Sequence, residues 1–333
     1  MSPNVSAVVD LSIVIVNWNV APLLRRCLLS IRQACSLPQA GSPLPPTLHC
    51  ETIVIDCASS DDSVEMVRRE FPDTRLIARS DNLGYARGNN LGLGLAQGRY
   101  LMILNPDTEV QGDALAAMVN YLETHPQVGV VSPQLRYPDG SLQSSRRRFP
   151  SLATAFWEST LLHQWFPDNR FARHYHMADR PADATQAVDW AVGAALMMRR
   201  SAWQQVGPLD EGYFMYFEEL DWCRRCRALG WEIHYLPAAC IIHHEGKSSE
   251  QIPAARAIRF QCSKIRYFSR YHGHAWGELL RAFLLLGYGL QLAEETCKWL
   301  LGHRRPLRRQ RMASYWQVLR SRLRPTAKEN RPE

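Results

Sequence analysis

Short apolar runs alternate with helical periodicity through the first 131 residues. Continuous apolar segments occur at "LSIVIV" (11–16), "ETIVID" (51–56), "TRLIA" (74–78), "YLMIL" (100–104) and "VGVV" (128–131). Between them, 22–35, 62–71, 85–98 and 113–125 carry apolar residues near a 3.6-residue spacing. Strands without a polar face, separated by helices, predict a parallel sheet covered on both sides. Right-handed crossovers then gather the functional loops at the carboxyl ends of those strands.

The pattern changes after 131. "PDG" at 138–140 reads as a tight turn between extended arms. A helix is expected around 151–165, and the polar stretch 167–187 has no clear period and reads as a loop. Extended, buried character returns at 188–200, a helix at 217–230, and two short strands at "WEIHYLP" and "ACIIHH". From about 254 the chain reads as helices.

The 333 residues suffice for one large α/β domain with extensions, and 46% hydrophobic with 21% charged residues is ordinary globular composition. Nine cysteines without a repeating spacing, and no basic region before the first apolar run, predict a reduced, cytoplasmic protein without a signal peptide. The net charge of +7 is local: ten of the 39 Lys and Arg residues, against two of the 32 acids, fall between Arg304 and Glu333. The basic character therefore belongs to a tail.

Four segments carry candidate chemistry. In "VIDCASSDDS" (54–63) a strand delivers Asp56 to its carboxyl end, where an aspartate can accept from a base N–H and helix-start amides favour anions. Helix capping by Ser60, Asp61 or Asp62 explains the same residues. No G-x-G-x-x-G follows the first strand and no P-loop motif occurs, which argues against dinucleotide and P-loop folds.

In "LMILNPDTEV" (101–110), strand alternation points Asn105 and Asp107 into one small volume, with Pro106 fixing the backbone between them. An amide oxygen and a carboxylate suit a hard divalent cation that shares its remaining positions with phosphate oxygens; a turn capped by Asp107 is the alternative. In "GYFMYFEELDWCRRCRALGW" (212–231), Glu218, Glu219 and Asp221 sit in an aromatic setting that suits a general base. On a helix Glu218 and Asp221 share a face, whereas Glu219 points about 100° away from Glu218. The alternative is a helix start whose acids pair with Arg224 and Arg225. In "CIIHHEGKSS" (240–249), alternation sends His243 and His244 to opposite faces, so one can join a metal site beside Asp107.

In this order, these segments together with "SIVIVNWN", "DNLGYARGNNLGL" and "WAVGAALMMRRSAWQQVGPLDEGYF" resemble family 2 glycosyltransferases of the GT-A fold, and within them the bacterial rhamnosyltransferase branch. The resemblance spans roughly 10–250. It implies a catalytic domain over 1–250, with a nucleotide-binding half (1–131) and an acceptor half (132–250), followed by a helical, basic extension over 251–333. It also implies a donor site of Asn17, Asp56, Ser59, Asp61, Asn82, Gly84, Asn89, Asn90 and Asn105. Asp107 and His243 would ligate Mg²⁺ or Mn²⁺, and Glu219 would be the base, with Glu218 and Asp221 in reserve. Cys57 stands where asparagine is usual, Arg87 where glycine is frequent, and Glu219 where aspartate is expected. The activity implied is inverting transfer of a sugar, L-rhamnose from dTDP-L-rhamnose, to a glycan or lipid-linked acceptor in bacterial cell-surface polysaccharide synthesis. A UDP-hexose donor, or an inactive nucleotide-sugar-binding scaffold subunit, are the alternatives.

In the extension, the uncharged run from Ala282 to Ala293 has twelve residues, short of the ~20 a spanning helix needs. The Arg clusters that follow, interleaved with Leu, Met, Tyr and Trp, read as peripheral attachment to the inner face of the cell membrane or as a helical cap with a solvated Arg face. Nucleic-acid binding would explain the Arg clusters but not the acidic strand ends, and is not expected.

Overall fold

The strands form where the sequence is apolar and β-branched. The computed structural model describes residues 9–37, 48–160, 166, 169–245 and 253–325. The stretch before Val9, the expected helix end near 165, the "GKSS" of the last motif and the tail beyond Pro325 lie outside these. The strands are β1 Leu11–Asn17, β2 Cys50–Cys57, β3 Arg75–Arg79, β4 Tyr100–Leu104, β5 Thr108–Val110, β6 Val128–Arg136, β7 Leu142–Gln143, β8 Arg146–Arg147, β9 Gln186–Ala187, β10 Trp190–Ala191, β11 Ala195–Arg199 and β12 Glu232–His243. The main sheet runs β3-β2-β1-β4-β11-β6-β12-β5, with β7 beside β6 and β9 beside β12. The first four of these are mutually parallel, and β6 and β12 are parallel to each other. β11 enters between β4 and β6, antiparallel to both. The sheet is therefore mixed but mostly parallel.

Helices α1 (Ala21–Ser36), α2 (Ser63–Glu70), α3 (Gly84–Leu95) and α4 (Ala114–Thr124) follow the first strands at the expected places. α1 buries Leu24, Cys27, Leu28, Ile31 and Ala34, a single stripe at helical spacing. α3 lies close on β1 because Gly88 and Gly92 face Val16 and Val14; a Cβ on Gly92 would sit 2.3 Å from Val14 Cγ1.

Three expectations are corrected. The two strands expected at "WEIHYLP" and "ACIIHH" are one, β12, whose register against β6 shifts between Leu236 and Cys240. The bulge accommodates Pro237, which cannot donate to a ladder. The stretch 167–187 holds the short helix α6 (Arg170–Tyr175) as well as β9; Asn169 caps α6 by accepting from Phe171 N and Ala172 N. The cysteines are not all reduced: Cys35, at the end of α1, is disulfide-bonded to Cys50, at the start of β2.

The remaining helices are α5 (Leu152–Glu158), α7 (Arg200–Val206), α8 (Glu218–Ala228), α9 (Pro253–His272), α10 (His274–Leu300) and α11 (Arg305–Ser321). The chain divides into two compact units. The first comprises Met1–Phe149, Arg180–Asp210 and Glu219–Ser248 and holds the sheet; the second comprises Pro150–Asp179, Glu211–Glu218 and Ser249–Glu333 and is helical. Within the second, Arg308 of α11 makes a buried pair with Glu295 of α10 at 2.7 Å. Gly277 of α10 leaves room for the Ser269 side chain of α9. Among the described residues, no helix is long and apolar enough to cross a membrane.

Candidate active site

The carboxyl ends of β1, β2 and β4 lie side by side, and each delivers a polar side chain. Asn17 and Asp56 are register partners at the last pair of β1 and β2. Asn17 Nδ2 donates to Asp56 Oδ2 at 2.8 Å, and Ser59 donates to the same carboxylate through Oγ (2.6 Å) and backbone N (3.0 Å). Ala58, at φ +59°, turns the chain so that Ser59 folds back onto Asp56. These three bonds fix the carboxylate and leave about one of its roughly four lone-pair positions for a ligand N–H. Burial pushes the neighbouring Cys57 thiol up to about 11, so it stays protonated.

Asp61 is engaged on both oxygens. It accepts from Ala21 N at the start of α1 (2.8 Å) and from Ser63 N (3.1 Å) at the start of α2. Its visible work is capping, the alternative that the sequence allowed. Asn82 accepts from Gly84 N at 3.0 Å, and Gly84 takes φ +77°, turning the chain into α3. Asn89 is buried and donates to Tyr85 O, while Asn90 exchanges two 2.9 Å bonds with the backbone of Leu209. Asn89 thus bonds within α3, and Asn90 ties α3 to the Leu209 loop.

β4 stops at Asn105 because the chain must cross from the middle of the sheet to β5 at its edge, beside β12. The Asn-Pro-Asp turn makes that crossing, and Thr108 Oγ1 donates to Asn105 O at 2.7 Å. Thr108 then pairs in register with His243. As a result Asp107 Oδ1 lies 3.3 Å from His243 Nε2, and Asn105 Nδ2 lies 3.4 Å from the same nitrogen. Asp107 and His243 are both buried. His244 points away and bonds Glu109 at 2.7 Å.

The orientation of His243 has a cause that sequence reasoning missed. Gln143 Nε2 donates to Glu245 Oε2 at 2.8 Å, so its Oε1 faces His243 Nδ1 at 2.9 Å. An amide oxygen only accepts, so Nδ1 carries a proton and the ring is turned with its Nε2 towards Asp107. Gln143 reaches this place through the expected turn, in which Asp139 accepts from Ser141 N (2.9 Å) and Gly140 N bonds Tyr137 O. A carboxylate and an imidazole nitrogen facing each other fit a divalent cation that takes its other ligands from a diphosphate. They form a partial site, since no group of three or more His, Cys, Asp or Glu able to hold a metal occurs among the described residues.

The base candidate is tied to the same edge. Asn105 N donates to Ala194 O at 2.9 Å, and the adjacent Gly193 N donates to Glu219 Oε1 at 3.3 Å. Tyr85 OH, also missed, donates to Gly193 O at 2.7 Å and so fixes that peptide. Gly193 leaves space for the Glu219 side chain, whose Cγ would be 3.2 Å from an added Cβ. Asp221 is fully buried and bonds Arg225 Nε at 2.9 Å, whose other nitrogens hold Val206 O and Pro208 O. That makes Asp221 a structural partner. Glu218 precedes Glu219 at the start of α8, after Tyr216 and Phe217 at φ +71° and +69°. Cys223 and Cys226 are buried, and burial raises both thiols, Cys226 to about 12.

The family model for glycosyl transferase family 2 matches residues 12–204. This chain is a family 2 glycosyltransferase. It is 29% identical over 282 residues to an N-acetylglucosaminyl-diphospho-decaprenol L-rhamnosyltransferase of Mycobacterium tuberculosis, covering 81% of this chain and 88% of that protein. It is 28% identical over 196 residues to the rhamnosyltransferase WbbL of Escherichia coli, covering 56% of this chain and 70% of that one. Among solved structures it resembles the mannosyltransferase PcManGT from Pyrobaculum calidifontis, in complex with GDP-Man and Mn²⁺. The TM-score there is 0.53 at 17% identity, over 94% of this chain and 87% of that one. The fold of this glycosyltransferase is GT-A.

Proposed function

We propose that this glycosyltransferase moves L-rhamnose from dTDP-L-rhamnose, with inversion, to a lipid-linked saccharide acceptor in cell-surface polysaccharide synthesis. Two relatives named as rhamnosyltransferases support the sugar, and the first of them supports the diphospholipid acceptor. The observation that carries the chemistry is the convergence of Asp107 and Asn105 on His243 Nε2, with Asn105 N also bonded to the carbonyl of Ala194, the residue after the Gly193 whose N–H holds Glu219.

In this reading Asp56 receives the N–H of the pyrimidine base, oriented by Asn17 and Ser59. Ser59, Asn82 and the start of α3 border the donor. Asp107 and His243 hold Mg²⁺ or Mn²⁺, which when bound neutralises charge developing on the diphosphate. Glu219 takes the proton of an acceptor hydroxyl, whose oxygen forms the new bond to the anomeric carbon. The bond from that carbon to the diphosphate oxygen breaks on the opposite side, and the nucleoside diphosphate leaves with the electron pair.

We also assign the helical unit to a membrane surface. Leu279, Leu286 and Leu290 are exposed at spacings of seven and four along α10, on one face, and Trp276, Trp299 and Trp316 are exposed near helix ends. Exposed Arg304, Arg305 and Arg309 accompany them, as attachment to anionic lipid requires. A panel of nucleotide sugars assayed with and without Mn²⁺ tests the activity. Mn²⁺-dependent release of dTDP, with an α- or β-linkage opposite to the donor's, is the expected result. Binding of every donor without turnover points instead to a scaffold subunit.

A further inference from the structure

Sheet topology brings a further polar layer behind the Asp107–His243 pair. β6 separates β7 from β12. Gln143 stands opposite Leu135, which in turn faces Ile241, two residues before His243. Gln143 and His243 are 7% and 5% exposed, so the 2.9 Å contact between Gln143 Oε1 and His243 Nδ1 is shielded from water. Beyond His243 the chain turns back on itself. Glu245 takes φ +36°, a conformation that L residues rarely adopt, and its Oε2 accepts from Gln143 Nε2 at 2.8 Å and from Tyr137 OH at 2.9 Å. Tyr137 N bonds Ser141 O and Gly140 N bonds Tyr137 O, which closes the turn between Tyr137 and Gln143. Both arms of the β6–β7 hairpin therefore grip one carboxylate.

Backbone strain of this kind persists only where its surroundings over-determine it. Here a carboxylate, an amide and an imidazole stand in series. The Glu245 charge draws on the Gln143 N–H and so leaves more electron density on the amide oxygen, which holds the Nδ1 proton of His243 more firmly. An imidazole whose one N–H is bound in this way becomes a better ligand through its other nitrogen. His243 Nε2 is the nitrogen that faces Asp107, at 3.3 Å. The amide fixes direction as well. With its Nε2 committed to Glu245 it offers His243 only an acceptor, which keeps the ring from turning over.

We propose that Gln143 is a positioning residue for the cation site and that Glu245 acts on His243 through it, as a carboxylate–amide–imidazole relay. The inference rests on the reading of Asp107 and His243 as cation ligands and adds the two residues that set the strength of the imidazole. The test is Mn²⁺ uptake by the full chain saturated with dTDP, read without turnover from the loss of the free Mn²⁺ paramagnetic resonance signal. Loss of such an outer partner weakens metal binding by roughly 10- to 100-fold. The near-isosteric Gln143→Met should therefore bind Mn²⁺ at least about tenfold more weakly than wild type. Glu245→Ala, at an exposed position, should bind at least about threefold more weakly. Melting temperature and metal-free dTDP affinity should stay as in wild type. In a His243→Ala background, Gln143→Met should cost less than about twofold, since no ring remains for it to orient. A purely structural Gln143 would carry the same penalty in both backgrounds, and that result overturns the proposal. Wild-type Mn²⁺ affinity in Gln143→Met or in Glu245→Ala overturns it too. Uptake that Asp107→Asn weakens but Gln143→Met and Glu245→Ala leave untouched sinks the relay alone. No Mn²⁺ uptake by wild type sinks the cation reading and the relay with it.

Discussion

Glu219→Gln is the sharpest single test of the chemistry. The replacement is isosteric, and its side-chain oxygen can still accept from Gly193 N, as Glu219 Oε1 does at 3.3 Å. A volume-conserving change at a half-buried position should therefore leave the fold intact, with a stability change under about 1.5 kcal/mol. What it removes is the capacity to take a proton. Positioned general bases contribute about 10²- to 10⁴-fold, which is roughly 2.7–5.5 kcal/mol of barrier. The assay is steady-state dTDP release with acceptor present, alongside dTDP affinity and melting temperature. Loss of kcat by at least 10²-fold, with donor affinity and melting temperature retained, is the expected outcome. A kcat within threefold of wild type would refute the reasoning and hand the base to Glu218.

Other consequences are equally concrete. Asp221→Ala strands Arg225 beside a buried vacancy and should cost about 3 kcal/mol of stability, read as a lower denaturation midpoint; an unchanged midpoint contradicts its structural role. Gly92→Ala places a methyl 2.3 Å from Val14 Cγ1 and should destabilise by about 1–3 kcal/mol. Gly94→Ala on the same helix meets nothing within 4 Å and should stabilise by up to about 1 kcal/mol, so equal effects would refute the packing account. Lys264 is buried, donating to Ala155 O at 3.0 Å, and burial lowers its pKa from 10.5 to about 8. Between those values the unfolded chain holds the proton that the folded one has lost, so stability rises with pH across that window and the full penalty applies below it. Relative to Lys264→Met, wild type should gain about 3 kcal/mol from pH 8 to 10.5 in urea melts; a constant difference contradicts the burial.

The sequence was most legible where burial is two-sided. β4 is apolar throughout and β1 and β2 are apolar at their centres, so their limits, and the helices between them, could be read to within a few residues. Periodicity carries no strand direction, however. "ALMMR" has the same apolar character as its neighbours, and nothing in it announces that β11 runs antiparallel between β4 and β6. Pro237 made β12 read as two strands, because a proline ordinarily ends a ladder and only a bulge in the partner register admits it. Cys35 and Cys50 are joined by the arrangement of α1 and β2, which no spacing rule reveals.

The strand-end residues Asp56, Asn105, Asp107 and His243 were legible as candidates because alternation and strand termination are local, whereas Asn17 entered through the family resemblance alone. Their supports were not. Gln143 lies 100 positions from His243 and Tyr85 lies 108 from Gly193, contacts made by topology alone. Asp61 shows the converse, a local signal that suited both a ligand and a cap, with both of its oxygens turned to the cap.

The central claim, that Asp107 and His243 hold a cation which grips the donor's diphosphate, is tested most directly by dTDP affinity with and without Mn²⁺ in wild type and Asp107→Asn. The account predicts that Mn²⁺ tightens dTDP binding at least tenfold in wild type and that Asp107→Asn abolishes the gain while keeping the metal-free affinity. Equal affinity with and without Mn²⁺ in wild type, or an undiminished gain in Asp107→Asn, would contradict it.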